Sequence, residues 1–221
     1  MIDDPDEQST AWVQRALSPA RLAPYLAAAG GGTAAALELY RWNLDLCAAF
    51  YPPLHWCEIA LRNAMHSQLR SYFGAHHWWD VAPLNENGRS MIGKARDDLA
   101  KRGRRETHTP DDIVAAVPLG FWVSLTSRGD RYDQTFWKHS LYFAFPHLTA
   151  TRRVLHRDLN GIREFRNRIM HHEPIFNRNL PNQRDRVHRV IGYLSTPLYD
   201  ETIRVDRIQT VLAAKPGHAP L

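Results

Sequence analysis

The residues of this 221-residue chain that are best suited to acid–base chemistry lie in one stretch, 162–176. Within it Arg163, Asn167 and His171 follow one another at steps of four, so they share one stripe if the stretch is helical. Arg166 precedes His171 by five positions, about 140° around a helix axis, and therefore flanks that stripe. The pattern predicts a helix through position 172 whose end brings an imidazole, an amide and guanidinium groups together.

This set of groups fits the cleavage of a phosphodiester bond in RNA. A base must take the proton of the ribose 2′-hydroxyl and an acid must protonate the leaving 5′-oxygen; a histidine suits both steps because its pKa lies near neutral pH. A cation must neutralise the charge that develops on the phosphate, and the planar guanidinium of an arginine matches two phosphate oxygens at once. One domain supplies few such groups, so a dimer is a natural way to complete the site.

A second polar stripe, formed by Glu58, Arg62 and His66, lies on the helix that we predict for residues 54–73. Steps of four drift by only about 40° each around a helix, so these side chains share a face. The stripe fits an ordinary ion pair within one helix, worth about 0.3–0.5 kcal/mol. It equally fits a companion surface for the stretch 162–176, whereas His66 by itself fits a structural role.

Apolar residues at helical spacing, divided by prolines and glycines, predict helices along the chain. The expected helix starts are Ser18, Thr33, Thr109 and Thr151, and further helices are expected at 54–73, 87–103, 133–143, 181–194 and 202–213. Pro52 and Pro53 are expected to end the helix that starts at Thr33, and Pro197 to end the helix at 181–194. Gly161 is expected to permit a close contact between helices.

No alternating strand pattern is present, so the sequence predicts an all-α fold. We expect one domain at residues 9–215, preceded by a disordered acidic lead at 1–8 and followed by a tail at 216–221. A chain of this length can bury a sizeable core. The two cysteines fit a reducing compartment, and neither a signal peptide nor a long apolar run is present, so we expect a cytoplasmic protein with no membrane partner.

The net charge of +5 and the pI of about 9.4 favour an anionic partner. A basic cluster consists of Lys101, Arg102, Arg104 and Arg105. It fits contact with an RNA backbone, and it equally fits a solvated helix end, because the helix dipole favours cations there.

No metal and no cofactor are expected from the sequence. The spacing of His171, His172 and Glu173 differs from that of helical zinc sites, in which two histidines lie one turn apart. The aromatic stretch 76–79 predicts packing rather than a ligand site. The glycines at 30–32 predict a turn, because the lysine and the serine or threonine of a phosphate-binding loop do not follow them.

Four segments carry a resemblance to a known family. Residues 166–171 resemble the signature of the HEPN superfamily, which is an arginine, an asparagine, three variable residues and a histidine. Within the wider stretch 165–176 the sequence looks like the Abi-like (abortive infection) branch in particular. The segments 39–43, 58–63 and 119–125 are similar to three further parts of that branch, and the resemblance spans about residues 10–195.

The resemblance implies a HEPN-like helical bundle with additional helices that dimerises through the signature helices. It also implies a metal-independent endoribonuclease in phage defence or a toxin–antitoxin pair, with RNA and an antitoxin protein as partners. The implied catalytic residues are Arg166, Asn167 and His171. The candidates for support are Glu58, Arg62, Asn63 and His172, and the candidates for RNA contact are Arg163, Arg168 and the basic cluster at 101–105. The alternative is a HEPN module that binds RNA or a protein without cleavage.

Overall fold

The computed structural model describes residues 12–13, 15–102 and 108–217. All regular structure in these ranges is helical, which confirms the all-α prediction. The helices are α1 (Pro19–Ala28), α2 (Thr33–Phe73), α3 (Trp78–Val81), α4 (Glu86–Lys101), α5 (Pro110–Ala116), α6 (Leu119–Ser124), α7 (Arg152–Met170), α8 (Leu180–Leu194), α9 (Thr196–Val205) and α10 (Ile208–Ala213). Three short helical turns lie between α6 and α7: Gly129–Arg131, Asp133–Trp137 and Leu141–Ala144.

The long helix α2 is the centre of the fold, and α1, α8 and α10 pack against it. It continues through Pro52 and Pro53, so the predicted break at these prolines is wrong. A proline in a helix removes one backbone hydrogen bond and disfavours the helix. However, the residues on either side of the pair, Phe50 and Leu54, are buried in the same core. Burial of both halves against one core outweighs the local cost of the prolines.

The helix α7 carries the stretch in which we expect chemistry. Thr151 caps it as predicted, because its hydroxyl accepts a hydrogen bond from the N–H of Val154 at 3.4 Å. Its buried side consists of Leu155, Asp158, Leu159, Ile162, Phe165 and Ile169. This face, which is apolar except for Asp158, packs between α6 and α8 and leaves the remaining faces of the helix end for polar side chains.

Two other helix predictions differ from the structure. The single helix expected at 133–143 is replaced by a π-turn and a 3-10 turn, which bury Phe136, Leu141 and Ala144 and leave Tyr142 and Phe143 exposed. The last helix is two helices, α9 and α10. The helix expected at 181–194 does end at Leu194, but Pro197 lies in the first turn of α9, because a proline is well tolerated there and the side chain of Ser195 caps that turn.

The termini and the basic cluster lie partly outside the described residues. The lead at 1–8, most of the tail at 216–221, and Arg104 and Arg105 belong to the parts that the structure does not describe. Lys101 ends α4 and lies 3.6 Å from the carboxylate of Asp98. Both cysteines are free thiols. Among the described residues no helix is long and apolar enough to span a bilayer.

Candidate functional site

The two polar stripes that the sequence singles out meet between α2 and α7. Nε of Arg166 donates a hydrogen bond to Oε2 of Glu58 at 3.1 Å, across 108 positions of the chain. Nη2 of Arg62 donates to the other oxygen of the same carboxylate. The Glu58 side chain is only 13% exposed. One shielded carboxylate therefore joins two guanidinium groups, and the cluster keeps one net positive charge.

This charged cluster lines a pocket of about 230 Å3. Its wall consists of Tyr51, Leu54, His55, Glu58, Ile59, Arg62, Arg166 and Met170. Of the predicted site residues it contains Arg166, Glu58 and Arg62. The exposed Asn63 is not part of the wall, although it lies next to Arg62 in the chain.

His55 is a candidate that sequence reasoning missed. Its imidazole is exposed and stacks on Tyr51, with the two ring centres 6.0 Å apart. His55 precedes Glu58 by three positions and Arg62 by seven, which places all three on one face of a helix. That signal was present in the sequence. The helix predicted for residues 54–73 already contains this alignment, so the spacing alone could have identified His55.

His171 lies at the end of α7, directly after the last helical residue, Met170. The prediction that the helix runs through position 172 is wrong by two positions. The backbone N–H of His171 donates to the carbonyl of Asn167 at 2.9 Å. Its imidazole is exposed and forms no hydrogen bond, ion pair or ring contact with the described parts of the chain. It is therefore accessible to an RNA or to a second copy of the protein.

His172 closes the helix in a conformation that normally belongs to glycine. Its φ is 58°, in the left-handed region. Its N–H donates to the carbonyl of Ile169 at 3.0 Å, and the N–H of Glu173 donates to that of Arg168 at 2.8 Å. These two bonds form a Schellman motif. Arg21 of α1 also donates to the carbonyl of His172, so the turn is fixed from both sides.

We expect His172→Gly to raise the free energy of unfolding by about 0.5–1 kcal/mol. The left-handed conformation costs a residue with a side chain about 1–2 kcal/mol, and glycine removes this cost. The greater freedom of glycine in the unfolded chain offsets about 0.4–1 kcal/mol of the stability gained. Denaturant unfolding followed by circular dichroism measures the change. His171→Gly is the matched control: φ of residue 171 is −91°, so this variant gains no relief and should lose stability. A lower stability of His172→Gly than of the wild type would contradict the prediction.

The segment after the turn is attached to α2 by one buried side chain. Oδ1 of Asn43 accepts hydrogen bonds from the backbone N–H groups of Ile175 at 2.8 Å and of Phe176 at 3.1 Å. Asn43 is 3% exposed. Because the turn at His171 and His172 continues directly into this segment, Asn43 fixes the position of the helix end.

The other predicted site residues of α7 do not join the Glu58 pocket. Asn167 and Arg168 line a separate pocket on the side of α7 that faces α8. Nη2 of Arg163 donates to the side-chain oxygen of Asn160 at 2.9 Å, so its contact is local. The three residues of the expected stripe therefore have different surroundings. Arg163 contacts Asn160, Asn167 lines the pocket that faces α8, and His171 is exposed at the helix end.

Of the remaining candidates, His66, Trp78 and Trp79 are packing residues, whereas His76 and His77 are exposed. His66 is buried and accepts a hydrogen bond from Nε1 of Trp78 at 3.0 Å, and burial lowers the pKa of its imidazole. Trp78 and Trp79 are buried, as expected for packing. Within the described ranges no group of three or more histidine, cysteine, aspartate or glutamate residues is placed to hold a metal ion.

Comparison with known proteins assigns no family to this chain. No family model matches it, and no curated protein and no solved structure matches it either. The resemblance to Abi-like HEPN proteins therefore depends on the four sequence segments, and the function has to be argued from the geometry of the site.

Proposed function

We propose that this protein is an Abi-like HEPN endoribonuclease that cleaves RNA without a metal ion. The observation that carries the proposal is the contact of Arg166 with Glu58, which joins the signature helix to the earlier polar segment. Both halves of the contact belong to segments that resemble the family. If the polar residues of α7 were only a solvated helix end, there would be no reason for these two segments to meet at one largely buried carboxylate.

In the proposed reaction Arg166 binds the phosphate at the cleaved bond. Only its Nε donates to Glu58, so the two terminal nitrogens of the guanidinium are left to meet two phosphate oxygens. Glu58 holds the guanidinium in place, and because it also binds Arg62, the cluster remains positive when substrate approaches. A preorganised cation of this kind stabilises the charge that develops in the transition state.

The histidines transfer the protons. The ribose 2′-oxygen attacks the adjacent phosphorus while His171 takes the 2′-hydroxyl proton, and the bond from phosphorus to the 5′-oxygen breaks. A second imidazole protonates the departing 5′-oxygen. His55 in the wall of the pocket suits this step, as does the same signature histidine of a second copy. The products are a 2′,3′-cyclic phosphate and a 5′-hydroxyl.

The exposed position of His171 supports a dimer in the proposal. A second copy packed against the signature helices would place two sets of these groups around one RNA strand. The proposed setting is the cytoplasm, in phage defence or as the toxin of a toxin–antitoxin pair whose antitoxin covers this surface.

Cleavage of a labelled single-stranded RNA in an excess of EDTA tests the proposal. We expect cleavage to continue in EDTA, to leave 2′,3′-cyclic phosphate and 5′-hydroxyl ends, and to fail at a position where the 2′-hydroxyl is replaced by hydrogen. A matched RNA with one 2′-deoxy nucleotide serves as the control. Loss of all cleavage in EDTA would exclude the metal-independent mechanism.

The second candidate is a HEPN module that binds RNA or a protein without cleavage. The observation that favours it is the separation of Asn167 from Arg166, since the two line different pockets in one chain. Expression of the wild type, Arg166→Ala and His171→Ala in bacteria separates the two candidates. Slow growth and new RNA 5′-ends with the wild type alone support the nuclease, and equal growth with identical RNA ends supports the binding module.

A further inference from the structure

A pocket between α7 and α8 takes no part in the proposed cleavage, and we infer that it binds a phosphate group. Its volume is about 410 Å3, and Arg168, Arg178 and Arg186 all contribute to its wall, together with the amide of Asn167. Three guanidinium groups around one concavity form a set of donors that suits the oxygens of a phosphate. The Glu58 pocket, by contrast, has its own separate wall.

Two donors in this pocket have no acceptor. The Nε atoms of Arg168 and Arg186 are buried and make no hydrogen bond with the described residues. Nε of Arg186 lies 3.7 Å from the carboxylate of Asp158, within ion-pair range but too far for a hydrogen bond. Buried N–H groups are nearly always paired in folded proteins. The protein therefore pairs these two guanidinium groups incompletely, which fits a wall that receives an anionic ligand.

Two carboxylates, those of Glu164 and Glu173, belong to the wall beside the three arginines, so the wall keeps one net positive charge. Glu173 pairs with Arg168 at 3.1 Å, and the buried Asp158 is shared between Arg186 and Arg189. The exposed Arg178 has no carboxylate partner among the described residues. Its guanidinium is therefore available to a ligand without the loss of an ion pair.

Gly161 makes room for the arginine at the centre of this pocket. A Cβ atom at residue 161 would lie 2.3 Å from Nη1 and 2.8 Å from Cζ of Arg186. The close contact between helices that the sequence predicts at Gly161 is thereby confirmed. Alanine would stabilise α7 more than glycine does. Glycine at this position therefore costs some helix stability but leaves space for the guanidinium of Arg186.

The ligand that fits these donors is a phosphate ester. Two sources carry the same chemistry: a free nucleotide, and a backbone phosphate of bound RNA away from the cleaved bond. Only the second depends on the proposed function. Inorganic phosphate, AMP, adenosine and a single-stranded 2′-O-methyl oligonucleotide, which lacks the attacking hydroxyl, are therefore the probes that separate them.

Isothermal titration of the full-length protein with each probe tests the inference. We expect AMP or the oligonucleotide to bind and adenosine to fail, and we expect Arg178→Ala to weaken the binding about tenfold or more, since bonds to charged groups are the strong ones. Binding of AMP assigns the site to a free nucleotide, and binding of the oligonucleotide alone assigns it to RNA. Because no probe is cleaved, the result stands whether or not the protein is a nuclease.

Two variants make the test specific. Gly161→Ala should also weaken binding, because the added methyl displaces the guanidinium of Arg186, while the helix should stay folded. Arg153→Ala is the matched control: it removes an exposed arginine of α7 that is not part of the pocket. If Arg178→Ala and Arg153→Ala bind every probe as the wild type does, or if no probe binds the wild type, the pocket is not a phosphate site.

Discussion

Replacing His171 by alanine is expected to lower the rate of RNA cleavage by about 10²–10⁴-fold, the usual range for loss of a general acid or base. The affinity for RNA should change little, because cations rather than the imidazole supply most of the attraction to the backbone. The exposed position of His171 means that its removal leaves no buried group without a partner. The protein should therefore remain folded, and the loss should lie in the chemical step.

Single-turnover cleavage and fluorescence anisotropy measure the two quantities for the same labelled RNA. His147→Ala is the control, because His147 is also exposed but belongs to neither pocket. His55→Ala, measured beside them, identifies the second proton-transfer group: an equal loss assigns the role to His55, and full activity assigns it to a second copy. If His171→Ala cleaves RNA at the wild-type rate, the proposal that His171 transfers a proton is wrong.

The sequence carries enough information for the helices because their signals are local. Thr151 begins α7 and Thr109 begins α5 as predicted, since a capping side chain bonds to the backbone only three positions away. The buried side of α7 follows from its apolar period in the same way. These predictions need no knowledge of the rest of the fold.

The signals for the site are not local. Helical spacing places Glu58 and Arg62 on one face, but it does not say that Arg166, 108 positions later, will lie against that face. The contact depends on how α7 packs across α2. For the same reason spacing does not assign Asn167 to the pocket that faces α8.

The continuity of α2 is the clearest case in which packing overrides a local rule. Two adjacent prolines are a strong local signal for a helix end. Phe50 and Leu54 on either side are nevertheless buried together, and the helix continues.

Replacing Asn43 by leucine is expected to lower the free energy of unfolding by about 2–4 kcal/mol. The variant removes the acceptor of two backbone N–H groups, those of Ile175 and Phe176, and each such group left unpaired in the interior costs about 1–3 kcal/mol. For a chain of this size the melting temperature should fall by about 5–15 °C. The lengths of the two side chains are similar, so little of the change comes from lost packing.

Thermal unfolding followed by circular dichroism provides the measurement, with Asn63→Leu as the control. Asn63 lies on the same helix but is exposed, so its replacement should change the stability by no more than about 0.5 kcal/mol. A loss for Asn43→Leu as small as that of the control would mean that the turn is held by other contacts. If the loss is large, cleavage measured well below the new melting temperature shows whether the anchored turn also positions His171. A folded Asn43→Leu protein that binds RNA but cleaves it slowly would link this buried amide to the placement of the signature histidine.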